Sequence, residues 1–305
     1  MKVLIGTSSF GTADDAPLRR LSRTGLDVVT NPYGRKLANG ELRALLTGDV
    51  VGIVAGLETL DRGALTASRL RVVSRVGAGT SNVDLQAAAE LGILVYATPD
   101  APTQAVAELT LGAMLSLLRG LPAMNDDLHA GRWARRLGGE LGGRTVAVVG
   151  FGRTGRRVAD LLGAFGAKVV VVTRQGETGR LGGFGAMPLA DALRIADIVT
   201  LHVSGDACIL DQPAFEAMKD GALVLNCSRG TCIDEAALVR ALDRGRVAGA
   251  WIDVFETEPY DGPLTRYDNV LLTPHAASNT AECRMAMEAQ ATDNLLDGLT
   301  KAGLL

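Results

Sequence analysis

Short apolar runs alternate with amphipathic stretches from one end of this chain to the other. Val3-Leu4-Ile5, Asp27-Val28-Val29, residues 50–55, residues 71–76 and Leu94-Val95-Tyr96 read as strands. Between them, residues 17–22, 41–46 and 85–91 repeat their apolar positions at helical spacing. Asp84 stands where the N-cap of the last of these helices belongs. A strand–helix–strand rhythm of this kind predicts a parallel sheet with right-handed crossovers.

A longer helix is predicted over 103–119, with no proline inside it and Glu108 as its one acidic residue. A more polar helix over 123–129 ends at Gly131, and the glycine-rich break Gly138-Gly139-Glu140-Leu141-Gly142-Gly143 follows. A second strand–helix series begins at Thr145, and the chain finishes with a helix over 281–296. That last helix is expected to return to the first sheet.

The second series opens with the most informative local pattern. An apolar strand over 144–149 runs straight into Gly150-Phe151-Gly152-Arg153-Thr154-Gly155, then into a helix over 156–165 and a strand over 167–172. Glycines at these three positions permit a tight turn, backbone approach to a pyrophosphate and close packing of helix on strand. The helix N-terminus supplies N–H donors and a positive dipole end to the phosphates. The expected architecture is therefore α/β, with two Rossmann-like, doubly wound parallel-sheet domains. Residues 1–99 and 282–305 form a substrate domain, and residues 100–281 form a dinucleotide-binding domain inserted in it.

Cofactor choice is read at the end of the second strand of that series. An acid commonly stands there to accept hydrogen bonds from the ribose hydroxyls. Here the position holds Thr173, followed by Arg174. No carboxylate repels a 2′-phosphate, and a guanidinium pairs well with one, so NADP(H) is favoured over NAD(H).

Three later segments each place one chemically useful side chain just after an apolar run. They are Asn226-Cys227-Ser228-Arg229-Gly230, Asp253-Val254-Phe255-Glu256-Thr257-Glu258-Pro259 and Thr273-Pro274-His275. Ligands of open parallel sheets bind beyond the carboxyl ends of the strands, so Arg229, Glu258 and His275 are expected to share one crevice. An imidazole exchanges protons near neutral pH, a neighbouring carboxylate orients it and stabilises its cation, and a guanidinium grips a carboxylate through two bonds. That set suits a small 2-oxo or 2-hydroxy acid. His202, after the strand over 198–201, is expected to line the cofactor cleft.

Composition narrows the class without naming the substrate. The 305 residues are 47% hydrophobic and 21% charged, with a formal net charge of −3. This describes an ordinary globular protein with no electrostatic footprint for nucleic acid or an anionic membrane. No stretch approaches the roughly 18 apolar residues of a membrane span, and the first apolar run is too short for a signal peptide. Cys208, Cys227, Cys232 and Cys283 show neither disulfide-framework nor metal-ligand spacing, so a reducing cytoplasm is expected and no metal site.

With these residues in view, the chain resembles the D-isomer-specific 2-hydroxyacid dehydrogenases, most of all their phosphoglycerate dehydrogenase-like branch. The likeness runs through Asn31-Pro32-Tyr33-Gly34-Arg35, Arg75-Val76-Gly77-Ala78-Gly79-Thr80-Ser81-Asn82-Val83-Asp84, Val106-Ala107-Glu108, Gly131-Arg132-Trp133, the glycine loop and the three segments above. The resemblance implies that Arg229, Glu258 and His275 are catalytic. It implies that Ala78 and Gly79 hold the substrate carboxylate; apart from the resemblance, Arg75 and Arg35 are candidate cations for a substrate phosphate. It also implies that Thr103, Arg153, Thr154, Thr173, Cys227 and Asp253 contact the cofactor, Asp253 at the nicotinamide carboxamide. A homodimer with the 103–119 helix at its interface is implied as well.

Two departures from the family stand out. Thr173-Arg174 replaces the usual acid, and the Ser204-Gly205-Asp206-Ala207 loop is shorter than the family's threonine-rich one. The chain is also expected to lack the regulatory domain of some relatives, and with it feedback by serine. The competing reading is a cofactor-sensing, corepressor-like binding protein on the same fold.

Overall fold

The structure, a computed structural model, describes all 305 residues. The chain divides into two compact units, Met1–Pro102 with Asn279–Leu305, and Thr103–Ser278. These divisions fall three residues from those expected from the sequence, at 102/103 and 278/279 instead of 99/100 and 281/282.

The first unit holds five parallel strands, β1 (Lys2–Ile5), β2 (Asp27–Thr30), β3 (Val50–Ala55), β4 (Val72–Arg75) and β5 (Leu94–Tyr96), in the order β2-β1-β3-β4-β5. The central strands are apolar without alternation because helices cover both faces, as a parallel sheet requires. Asp61 and Asp84 start two of those helices by accepting the backbone N–H of Ala64 at 2.7 Å and of Ala87 at 2.8 Å. The final helix runs over Ala281–Lys301, longer than its sequence pattern suggested, because Gly298 and Leu299 continue its buried face. The Ser74 hydroxyl on β4 donates to the Ala291 carbonyl of that helix at 2.7 Å. The strand order reverses between β1 and β3, and the ligand crevice of such a sheet lies beyond the carboxyl ends at that point.

The second unit holds β6 (Thr145–Val149), β7 (Lys168–Val172), β8 (Gly179–Leu181), β9 (Phe184–Ala186), β10 (Ile198–Leu201), β11 (Ala222–Asn226), β12 (Val247–Ile252) and β13 (Val270–Leu272). They form one sheet in the order β13-β12-β11-β10-β6-β7-β9-β8, parallel except for the β8–β9 hairpin at its edge. Two apolar layers sandwich it, one around Phe215 and Leu201, the other around Trp251 and Met114. The strand order reverses between β6 and β10. The helix Thr103–Arg119 begins this unit and packs on the helix Arg153–Ala164, where Arg157 Nε donates to Gln104 Oε1 at 2.7 Å. No single helix of the chain is long and apolar enough to cross a membrane.

Candidate active site

Beyond β6, the glycine loop turns at the point where the strand order reverses. Gly150 has φ 95°, and a Cβ there would lie 2.3 Å from the His202 carbonyl oxygen. Gly155 closes the turn from the other side, since its Cβ would lie 1.9 Å from the Gly150 carbonyl oxygen. Nothing stands within 4 Å of a Cβ built on Gly152, the N-cap of the helix Arg153–Ala164, and no side chain caps that helix. The helix thus begins with uncapped N–H donors over open space, which fits the pyrophosphate of a dinucleotide. Arg153 and Thr154 are the first two residues of this helix.

Thr173 and Arg174 follow β7. The Thr173 hydroxyl accepts the Glu177 backbone N–H at 3.3 Å, and no acid occupies its place. Arg174 is exposed and reaches across to the loop after β10, donating from Nη2 to the Ser204 carbonyl at 3.0 Å.

Where β10 and β11 end, His202, Cys227 and Thr110 form a neutral polar cluster. His202 Nε2 lies 2.9 Å from the Thr200 hydroxyl, and its Nδ1 lies 3.7 Å from Cys227 Sγ, itself 3.7 Å from the Thr110 hydroxyl. Burial pushes the His202 imidazole down to about 4 and the Cys227 thiol up to about 12, so both are uncharged at neutral pH. Sequence reasoning singled out His202 and Cys227 separately but missed their contact. It also missed Thr110, whose only signal is a hydroxyl on an otherwise apolar helix face.

Beyond β11, the backbone is fixed before Arg229 is reached. Asn226 Oδ1 accepts the Ser228 N–H at 3.0 Å, and its Nδ2 donates to the Arg229 carbonyl at 2.8 Å. The Ser228 hydroxyl donates to the Leu201 carbonyl at 2.8 Å and accepts the Val203 N–H at 3.0 Å, tying the ends of β10 and β11 together. Arg229 is half-buried and donates from Nη1 to the Ser228 carbonyl at 2.6 Å, which leaves most of its five donors for other acceptors. Glycine follows for a steric reason. A Cβ on Gly230 would lie 2.0 Å from the Phe255 carbonyl carbon, so only glycine lets this loop meet the one that carries Glu258.

Glu258 and His275 pair directly. His275 Nδ1 lies 3.0 Å from Glu258 Oε2, with side-chain exposures of 39% and 36% that leave the ring within reach of a ligand. The other carboxylate oxygen, Oε1, accepts the Phe255 N–H at 3.1 Å, which steadies the pair. His275 is the one non-glycine residue with positive φ, at 52°, a costly backbone state that its surroundings must enforce. They do so through Asp253, which is fully buried. Its carbonyl accepts the His275 N–H at 2.8 Å, and its carboxylate accepts the Thr273 hydroxyl, the Ala276 N–H and the Ala277 N–H at 2.5, 2.8 and 3.0 Å. Asp253, expected as a cofactor contact, also braces the His275 loop.

The remaining expected residues are distributed more loosely. Thr103 is the first residue of its helix. Arg75 ends β4 in the first unit, and its guanidinium donates to the Val76 carbonyl. Ala78 and Gly79 lie in the turn that follows, which the Thr98 hydroxyl anchors by accepting the Gly77 N–H at 2.7 Å. Arg35, a candidate cation for a substrate phosphate, is spent on Glu41 through two bonds of 2.7 and 2.8 Å. No group of three or more His, Cys, Asp or Glu residues is arranged to hold a metal ion.

Known proteins share this chain's sequence pattern and fold. Residues 111–277 match the family described as D-isomer specific 2-hydroxyacid dehydrogenase, NAD binding domain. Over 295 residues the chain is 36% identical to D-3-phosphoglycerate dehydrogenase of Rattus norvegicus, covering 93% of this chain and 54% of the relative. It is 37% identical over 246 residues to a glyoxylate reductase of Aeropyrum pernix, covering 75% of this chain and 73% of that one. A crystal structure of the NADPH-dependent glyoxylate/hydroxypyruvate reductase of Sinorhizobium meliloti superimposes with a TM-score of 0.85 at 34% identity, over 99% of this chain and 95% of that one. The chain belongs to the D-isomer-specific 2-hydroxyacid dehydrogenase family. It spans about half the length of the phosphoglycerate dehydrogenases it matches.

Proposed function

We propose that this chain is a nicotinamide-dependent oxidoreductase that interconverts small 2-oxo and D-2-hydroxy acids. One observation carries the reading: a half-exposed His275 paired with Glu258 at 3.0 Å, on the same sheet as the Gly150–Gly155 turn. The nicotinamide cofactor supplies the hydride. The protein's own part is acid–base and electrostatic. His275 donates a proton to the carbonyl oxygen in reduction and takes it back from the hydroxyl in oxidation, with Nε2 as the working atom because Nδ1 faces Glu258. Glu258 fixes that tautomer through its contact with Nδ1. Arg229 holds the substrate carboxylate and polarises the adjacent carbonyl. In the first unit, the Ala78–Gly79 turn is assigned to substrate by the family likeness alone, with Arg75 as a candidate cation beside it.

NADP(H) is the preferred cofactor in this reading. Its support is Thr173 in place of an acid, with Arg174 beside it, tethered to Ser204. Gly150, Gly152, Arg153, Thr154 and Gly155 would hold the pyrophosphate, and Thr103, His202 and Cys227 would flank the rest of the cofactor.

A homodimer is also inferred. The apolar side chains offered to a second copy are Leu121, Leu128, Trp133 and Leu137, exposed by 49, 55, 83 and 105%. They lie just past the helix that the family likeness put at the interface, and sedimentation should give twice the monomer mass. All four cysteines are free thiols, in keeping with a reducing, cytoplasmic setting.

The deciding experiment is a steady-state screen of glyoxylate, hydroxypyruvate and phosphohydroxypyruvate, each with NADH and NADPH. Turnover of at least one acid is expected. No oxidation of either cofactor with any of them would overturn the assignment.

A further inference from the structure

The first unit buries a carboxylic acid where its sheet should receive a ligand. Glu58 is 1% exposed and lies three residues beyond β3, at the reversal of strand order between β1 and β3. Two glycines make room for it. A Cβ on Gly6, just past β1, would lie 2.0 Å from Glu58 Oε1, and one on Gly56 would lie 3.0 Å from Oε2. The Gly56 N–H donates to Oε1 at 2.9 Å, and Asn82 Nδ2 pins the turn by donating to the Gly56 and Glu58 carbonyls at 3.1 and 2.7 Å. The Thr7 hydroxyl beside it is buried without a hydrogen-bond partner.

The neighbouring strand brings a cation to the same end. Arg75 is the register partner of Ala55, the last residue of β3, and the Val76 N–H donates to the Ala55 carbonyl at 2.8 Å. Burial holds the Glu58 carboxyl above the usual carboxylate range, although the Gly56 N–H and the charges of Arg75 and of exposed Lys36 pull against it. A buried acid whose neighbours include Arg75 offsets part of the positive potential that a phosphate-bearing substrate would need. Its shielding from solvent lets the field act over several ångströms.

We propose that Glu58 is a specificity-determining residue. Its carboxylate, cradled by Gly6 and Gly56 at the β1/β3 reversal, reserves this end of the unit for 2-oxo acids without a phosphate. It acts through the field on Arg75 and touches no reacting atom. The proposal rests on the reaction assigned above and names its substrate class.

The test compares hydroxypyruvate with phosphohydroxypyruvate, which differ by the phosphate alone, in wild type and Glu58→Gln. The amide keeps an oxygen for the Gly56 N–H and removes only the charge. Wild type should favour hydroxypyruvate in kcat/KM, and Glu58→Gln should shift the ratio toward the phosphorylated acid by at least about tenfold, mainly through KM. Glu58→Asp, which retains the charge, should keep the wild-type ratio. A purely structural role would lower both activities together and leave the ratio flat; a flat ratio overturns the proposal, as does a wild-type preference for the phosphorylated acid. That last comparison can overturn the proposal even if the variants fail to fold. Failure of both acids and of glyoxylate in wild type would instead overturn the assigned reaction, and this proposal with it.

Discussion

Asp253 carries the loop that holds His275. Its carbonyl accepts the His275 N–H at 2.8 Å, while its buried carboxylate takes the next two backbone N–H groups and the Thr273 hydroxyl. The cost of the left-handed backbone at His275 is met by this set of bonds. Asp253→Asn keeps one acceptor oxygen but turns an N–H₂ toward donors that then lack a partner. The expected loss of stability is about 2–4 kcal/mol, since bonds to a charged group each contribute roughly 1.5–3 kcal/mol. Denaturant unfolding of the two proteins measures it, and equal midpoints and slopes would show the brace to be idle.

The Glu258–His275 pair makes separable predictions for the two partners. His275→Asn should lower kcat by about 10²–10⁴, the usual contribution of a positioned acid–base group. Glu258→Gln leaves the imidazole in place and removes only its orienting charge, so its loss should be smaller. Neither side chain belongs to the Gly150–Gly155 turn, so cofactor affinity by fluorescence quenching should change little in both. Unchanged kcat in His275→Asn would remove His275 from the chemistry.

What could be read from the sequence depended on whether a feature is local. The Gly150–Gly155 turn, the Asp84 cap and the three segments after β11, β12 and β13 are contiguous patterns, and each position in them answers to a backbone or chemical need nearby in the chain. The β8–β9 hairpin escaped notice because its strands, Gly179–Leu181 and Phe184–Ala186, are too short and glycine-rich to show alternation. The Thr110–Cys227–His202 cluster and the Asp253 brace are contacts across 117, 25 and 20 or more positions, which no periodicity records. Glu58 is the sharpest case. Nothing in Gly56-Leu57-Glu58 distinguishes a solvated turn acid from a buried one, because the glycine that completes its cradle, Gly6, follows a different strand.

His202 sets an acid limit on stability. Folding lowers its pKa to about 4 from an ordinary 6.5, so the unfolded chain binds the extra proton between those values. The folded state is therefore at its full stability above pH 6.5, loses stability as pH falls through that window, and loses no more to this group below about 4. The loss at pH 4.5 should be about 2–3 kcal/mol, because each tenfold difference in proton affinity between the folded and unfolded chain corresponds to about 1.4 kcal/mol. His202→Gln should flatten that part of the stability–pH curve. Parallel curves for the two proteins from about pH 7 to 4.5 would mean that His202 is protonated in the fold as readily as outside it.

Arg174 should govern the choice between the two nicotinamide cofactors. Its guanidinium is exposed beyond β7 and tethered to the Ser204 carbonyl at 3.0 Å. That tether limits the freedom lost when a phosphate is bound, so the bond to a 2′-phosphate gains more than one from a freely moving arginine. Arg174→Ser removes one charge-assisted interaction, generally about 1.5–3 kcal/mol, and should raise KM for NADPH by about 10- to 100-fold. KM for NADH should change by no more than about threefold, because no phosphate meets the side chain in that cofactor. Parallel steady-state titrations of both cofactors against a fixed 2-oxo acid separate the outcomes. Equal losses for NADPH and NADH would make Arg174 a structural tether of the loop, and a wild-type enzyme that uses NADH tenfold better than NADPH would refute the cofactor preference itself.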